Sequence, residues 1–246
     1  MFEVAAEYDL IEVSPIRRKP HRPRHHKISK PALTAEQIRV LLDKVPVMWK
    51  AFFVCLALTN LRIGELLAIQ WGDIDWVNHR LTVSKSIWRG KLVYSTKTDA
   101  ELVKHLPESL MRVLQWHRQQ SQHAADSDFV FCKPDGSARD PNFVRDSVLY
   151  PAMDRAEIEH GPRTHGFDIF RHSAGSIIHK KTGSMKLAQI QLGYADMGTT
   201  ANIYVHTDEE QLKYAAEVLA EAIGPIYCPP NCPPNAGGLP TKGLEA

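Results

Sequence analysis

Apolar residues recur at helical spacing along most of this chain and at alternating spacing over one short region. A capping box at Thr34-Ala35-Glu36-Gln37 opens the first predicted helix, with Ile38, Leu41 and Leu42 on one face. A second apolar helix is predicted over about 47–58. Thr59-Asn60-Leu61-Arg62 breaks it, and 63–69 restarts it. Alternation then predicts short strands over 71–76, 81–87, 91–95 and 103–106, with turns at Asn78-His79 and Arg89-Gly90. Pro107 opens a helix that turns Leu110, Val113 and Leu114 inward. A short apolar piece over 128–131, a turn at 134–136 and a helix over 143–158 follow. From Phe167 to His206 the pattern gives helical segments around a turn at Thr182-Gly183. The second of them ends in Leu192-Gly193-Tyr194, and the stretch closes on Tyr204. Thr207-Asp208-Glu209-Glu210 is a second capping box, opening a helix that carries Leu212, Ala215, Ala216, Leu219 and Ile223. Residues 224–246 are rich in Pro and Gly and keep no period, so disorder is expected there. The sum is an α+β chain, mostly α, with a small antiparallel β-sheet.

Composition changes this picture little. The 246 residues are 43% hydrophobic, enough for a sizeable core, and no apolar run is long enough to span a bilayer. No membrane partner is therefore expected, and the expected compartment is the cytoplasm, on the nucleoid. Cys55 reads as core. Cys228 and Cys232 lie in the Pro-rich tail without the spacing or histidines of a zinc site, so no zinc site is expected there. Net charge is only +2, so where the charge sits matters more than its total. Between Glu12 and Glu36 there is no acidic residue, while Arg17, Arg18, Lys19, Arg22, Arg24, Lys27 and Lys30 stand among prolines. Such a run is either a solvated linker or a basic strap along a phosphate backbone; the strap is the reading adopted.

Four residues outside that run carry candidate chemistry, and each has an ordinary reading as well. Arg62 sits at a helix break and could pair with Glu65. Lys97, in Ser95-Thr96-Lys97-Thr98, could simply be solvated. Arg171, with His172 beside it, lies where a helix begins whose inner face holds Ala174, Ile177 and Ile178. Tyr204, between Ile203 and Val205, could be a half-buried core tyrosine.

Their order and setting resemble the catalytic domain of the tyrosine recombinase (phage integrase) family. That family carries an arginine in T-G-L-R-x-x-E-L, a lysine in a β-hairpin, an H-x-x-R-H segment, an L-G-H segment and a tyrosine in a threonine-led segment ending Y-x-H. Here these are Thr59–Leu66 with Arg62 and Glu65, Lys97, Arg171-His172, Leu192-Gly193-Tyr194, and Thr199–His206 with Tyr204. The resemblance covers about 33–223 and implies the tyrosine recombinase catalytic-domain fold and double-stranded DNA as partner. It also implies a reaction without cofactor. Arg62 and Arg171 clamp the scissile phosphate through planar, permanently charged forks. Tyr204 attacks to give a 3′-phosphotyrosyl link, and Lys97 protonates the leaving 5′-oxygen. In relatives the last helix often docks on a neighbouring subunit, so the helix over 212–223 is a candidate for a homo-tetramer on DNA; packing on its own domain is its other reading.

Asn60 stands where the family pattern has glycine, and two further positions depart from it. Asp168 stands where a histidine is usual, three residues before Arg171, and Tyr194 stands at the usual His or Trp position. An ionised carboxylate cannot donate to phosphate. At about 4 Å and an effective dielectric of about 20 it would cost roughly 4 kcal/mol against a second negative charge, or about a thousandfold in rate. Alternatively, Asp168 accepts the Tyr204 proton or pairs with an arginine. Residues 1–32 read as the end of a helical core-binding domain plus the basic linker. The expectation is thus a site-specific DNA recombinase shortened at its front and impaired. The rivals are a DNA-binding remnant that does not cut, and a relaxing activity like that of type IB topoisomerases.

Overall fold

A computed structural model describes residues 7–11, 32–94, 102–161, 166–192 and 209–225. The chain divides into two units, Met1–Lys30 and Pro31–Ala246. In the first, residues 7–11 form a turn with Asp9 at φ 53°; the helix end and basic run expected over 1–32 otherwise lie outside the described residues.

The second unit opens on α1 (Ala35–Lys44). Thr34 accepts from the Gln37 amide at 3.1 Å while the Gln37 side chain accepts from the Thr34 amide at 2.9 Å, so the capping box forms in both directions. Just ahead of it the Leu33 amide donates 2.6 Å to Ser173 Oγ, pinning the start of the unit to a later helix. A 3-10 turn, Val47–Trp49, leads into α2 (Lys50–Thr59), every residue of which is buried. That is the pattern of a central helix rather than a surface one. α3 (Ile63–Ala68) follows after a two-residue corner.

The β region departs from the sequence expectation in two places. Residues 71–76 do not make one strand: Trp71–Asp73 is a 3-10 turn, because Asp73 Oδ2 accepts the Gln70 amide at 2.8 Å, and only Ile74–Asp75 (β1) is extended. The Trp71 indole is buried, stacks on Trp76 and donates 2.9 Å to the His123 carbonyl. The predicted strand over 81–87 is two strands in two sheets. β2 (Arg80–Val83) lies between β1 and β5 (Leu102–His105), all antiparallel, whereas β3 (Lys85–Trp88) pairs with β4 (Lys91–Tyr94). The β3–β4 turn is Arg89-Gly90, φ 50° and 75°, the left-handed pair that a two-residue hairpin requires.

Helix α4 (Glu108–Gln120) begins after Pro107 and buries Leu110, Val113 and Leu114 as patterned. α5 (Pro141–Val144) runs through a π-helical turn, Arg145–Leu149, into α6 (Tyr150–Arg155). α7 (Asp168–Thr182) buries Ala174, Ile177 and Ile178 and ends at Gly183, φ 69°. α8 (Met185–Leu192) packs back on α7, and α9 (Glu209–Ile223) crosses α8, α7, α1 and α2. Ala215, Ala216, Leu219 and Ile223 of α9 are buried, so of its two readings the structure shows the helix packed on its own unit. Its capping box, at 207–208, lies outside the described residues. The result is mostly helical α+β with small antiparallel sheets.

Candidate functional site

The site is built around the corner between α2 and α3. α2 ends at Asn60, which takes the left-handed conformation, φ 58° and ψ 29°, and donates its amide 3.1 Å to the Leu56 carbonyl. Glycine is the usual residue at such a helix end, and asparagine is the common substitute. This accounts for Asn60 where the family pattern has glycine. The reversal carries Arg62 to the start of α3. There Glu65 accepts the Arg62 amide at 2.8 Å and the Arg62 guanidinium at 3.0 Å. The Arg62 side chain is 57% exposed, Glu65 only 16%. Glu65 thus fixes the base of an arginine whose head reaches solvent.

Arg171 comes to the same corner from α7. It is 4% exposed, and its Nη1 donates 2.7 Å to the Asn60 carbonyl although the two residues are 111 apart in sequence. Its Nη2 donates to the Leu192 carbonyl at the end of α8. Two helix C-termini, those of α2 and α8, therefore meet on one buried guanidinium. A cation is favoured there because the carbonyls at a helix end are unsatisfied and carry partial negative charge.

Lys104 also belongs to this cluster, and sequence reasoning missed it. It is fully buried on β5, and its Nζ donates to the Gln191 carbonyl. Burial, then the Arg171 guanidinium, push its amine down to about 7. Glu65 acts in the opposite sense, and Arg62 adds to the lowering. Its signal in the sequence is a lysine at an inward position of a strand that otherwise presents apolar residues to the core.

Asp168 is the first residue of α7 and is exposed. A carboxylate in the first turn suits the helix dipole, and among the described residues it forms no ion pair with an arginine. Of the two alternatives for Asp168, the arginine pair is thus not formed among the described residues, and Tyr204 lies outside them. His172, next to Arg171, is half-buried. Lys97, Tyr194, Tyr204 and the basic residues Arg17 to Lys30 lie outside the described residues. The structure thus brings together Arg62, Glu65 and Arg171, adds Lys104, and places Asp168 three residues before Arg171 on the same helix. Among the described residues no cluster of His, Cys, Asp or Glu could hold a metal ion, and no helix is long and apolar enough to cross a membrane.

An anion is the ligand such a cluster suits, since two guanidinium groups and a lysine that ionises near neutrality stand against one carboxylate. Residues 31–211 match the phage integrase family. The chain is similar to the ICEBs1 integrase of Bacillus subtilis (strain 168), 25% identical over 249 aligned residues that cover 91% of this chain and 63% of that protein. It is also similar to tyrosine recombinase XerH of Helicobacter pylori, 28% identical over 167 residues, covering 66% of this chain and 42% of that one. In fold it is similar to the Tn1549 transposon integrase, solved in complex with transposon right end DNA. That match has a TM-score of 0.66 and 20% identity, and covers 89% of this chain and 75% of that chain. The chain spans between 42% and 63% of the length of the curated relatives it matches.

Proposed function

Because the chain belongs to the phage integrase family, we propose that it is a site-specific DNA strand transferase that works through Tyr204. Arg62 and Arg171 bind the non-bridging oxygens of the scissile phosphate, where negative charge builds up as the phosphorus is attacked. The Tyr204 phenolic oxygen forms the new bond to phosphorus. The bond to the 5′-oxygen breaks, and Lys97 protonates that oxygen as it leaves. Asp168 is the carboxylate available to take the phenolic proton. The 3′-phosphotyrosyl link keeps the phosphodiester's energy, so a 5′-hydroxyl can reverse the step and rejoin a strand without nucleotide or metal.

The observation that carries this reading is the meeting of Arg171 with the Asn60–Arg62 corner. Two segments 111 residues apart, each matching a family motif, come together with Glu65 bracing one arginine. A covalent-trapping gel tests it. Nicked suicide duplexes carrying the ends of the element in which the gene resides should give a slow-migrating adduct with the unaltered chain and none with Tyr204→Phe. An adduct that persists in Tyr204→Phe removes the nucleophile assignment.

A second reading has one observation in its favour, the exposed carboxylate of Asp168 in the place of the usual histidine. On that reading the chain binds DNA without cutting it. The unaltered protein would then retain salt-dependent DNA binding and give no adduct, while an Asp168→His, Tyr194→His double variant gains one.

A further inference from the structure

Lys104 is the buried ionisable group that the strand-transfer steps leave unused. It continues a row across the three-stranded sheet, where Ile74 pairs with Leu81 and Leu81 with Lys104. The first two are buried apolar side chains; the third, equally buried, is a lysine. An amine in that position needs a partner, and it has one at the far end of the unit's sequence. Its Nζ donates to the Gln191 carbonyl, 87 residues on. The same residue is held from a second side, its Nε2 donating 3.2 Å to the Leu58 carbonyl of α2. Leu192, next in line, is held by Arg171. The last two residues of α8 are thus tied at once to β5, α2 and α7. Gly193 follows directly, and the stretch it opens carries Tyr194 and Tyr204.

The charged groups around the amine are Arg171 from α7 and Arg62 and Glu65 from the start of α3. α9 brings Glu217 to within 3.6 Å of the neighbouring His105, and β2 sets Arg80 opposite that histidine. Burial and two guanidinium groups outweigh the single carboxylate, so the amine changes charge near neutrality. Release of α8 would hydrate the amine and let it take up a proton, so the docked helix gains stability as pH rises through that transition.

We propose that Lys104 is a positioning residue of this site: behind Arg62 and Arg171, its amine fastens the end of α8 to β5 and so sets the point at which the chain leaves α8 towards Tyr194 and Tyr204, and the neutral amine fastens it more firmly than the protonated one. The proposal rests on the strand-transfer reading of the site, and the two are tested separately.

The first measurement needs no DNA. Hydrogen–deuterium exchange of the full chain is read in peptides from α8, over about pH 6 to 9, with intrinsic rates removed. Protection at the end of α8 rises several-fold as pH rises through the Lys104 transition. Lys104→Met, which lacks the amine, and Lys104→Arg, charged throughout, show no step and stay at the low value. Protection of α4 is the control for folding. If Lys104→Met loses that as well, the unaltered profile set against Lys104→Arg decides. Protection of α8 that ignores pH in the unaltered chain overturns the proposal, as does equal protection above that transition in a folded Lys104→Met.

The second measurement is the single-turnover rate of adduct formation on the nicked duplex. Lys104→Met loses the limb of the pH profile near neutrality and reacts at least several-fold more slowly above it. An unchanged rate and profile overturn the proposal. If the unaltered chain and Tyr204→Phe both give no adduct, the strand-transfer reading fails, and the exchange profile alone decides the role of Lys104.

Discussion

A lysine amine that ionises at 10.5 in water and at about 7 in the fold ties stability to pH. Between those two values the unfolded chain holds the proton and the folded chain has released it, so stability rises with pH across that window. Below about 7 both states are protonated and the contribution is flat at its lowest. The span from 10.5 to about 7 corresponds to about 5 kcal/mol at full linkage, an upper figure. The prediction is that the urea midpoint of the unaltered chain, measured relative to Lys104→Met, climbs steadily from about pH 7 to 9. A difference that stays level over that range would mean that the amine is solvated. The local sequence marks this lysine only by its inward position on an apolar strand, because its burial depends on pairing with Leu81 and on a carbonyl 87 residues away. Asn60 is the opposite case. The departure from glycine is visible in the sequence, and the left-handed φ of 58° explains why asparagine fills the place. Arg62 with Glu65 was also legible, since three residues is one helical turn.

Among the elements, α3 depends most on a single residue. Gly64 lies against β3 so closely that a Cβ would sit 2.7 Å from both the Ile87 carbonyl oxygen and Ser86 Oγ. The carbonyl is backbone and cannot swing aside. Gly64→Ala must therefore push α3 away from the hairpin, at a cost of about 1–3 kcal/mol. Arg62 and Glu65 bracket that glycine, so the same variant should lower DNA affinity or adduct yield by more than its loss of stability explains. Urea unfolding and the trapping gel, run side by side, check this; a variant as stable and as reactive as the unaltered chain would show that the contact is not rigid. The helices were legible because capping boxes and apolar periods are local signals, as at Thr34. The strands were legible as β but not in their partners. Residues 81–87 read as one strand, and the break at Ser84, which sends β2 and β3 into different sheets, is set by α3 packing on β3 and by β5 pairing with β2. In the same way Trp71 reads as part of a strand. Its 3-10 turn comes from an Asp73 cap and from a pocket closed by the His123 carbonyl, 52 residues later.

For the whole molecule, charge and its placement must be weighed together. With 30 basic and 28 acidic residues the chain has almost no long-range attraction for DNA, so affinity has to come from local clusters. The sequence offers two, the run from Arg17 to Lys30 and the Arg62–Arg171–Lys104 cluster at the α2–α3 corner. They predict different behaviour. A strap along the backbone neutralises phosphates and releases counterions, so each contact adds roughly 0.9 to the slope of log affinity against log salt. On the proposed strand-transfer reading the corner cluster would meet one phosphate and contribute little to that slope. Replacing Arg17, Arg18, Lys19, Arg22 and Arg24 with glutamine should therefore flatten the salt dependence of binding to linear duplex by up to about 4, if each contacts a phosphate. Arg62→Gln with Arg171→Gln should leave the slope within about 2 of its value and abolish adduct formation instead. A slope unchanged in the glutamine variant would make the basic run a solvated linker and leave the described unit to hold DNA alone. Holding DNA through the corner alone would then demand contacts from the faces flanking it. The exposed β3–β4 ribbon, with Trp88, Lys91 and Tyr94 at the surface, is the described element placed beside α3 to supply them.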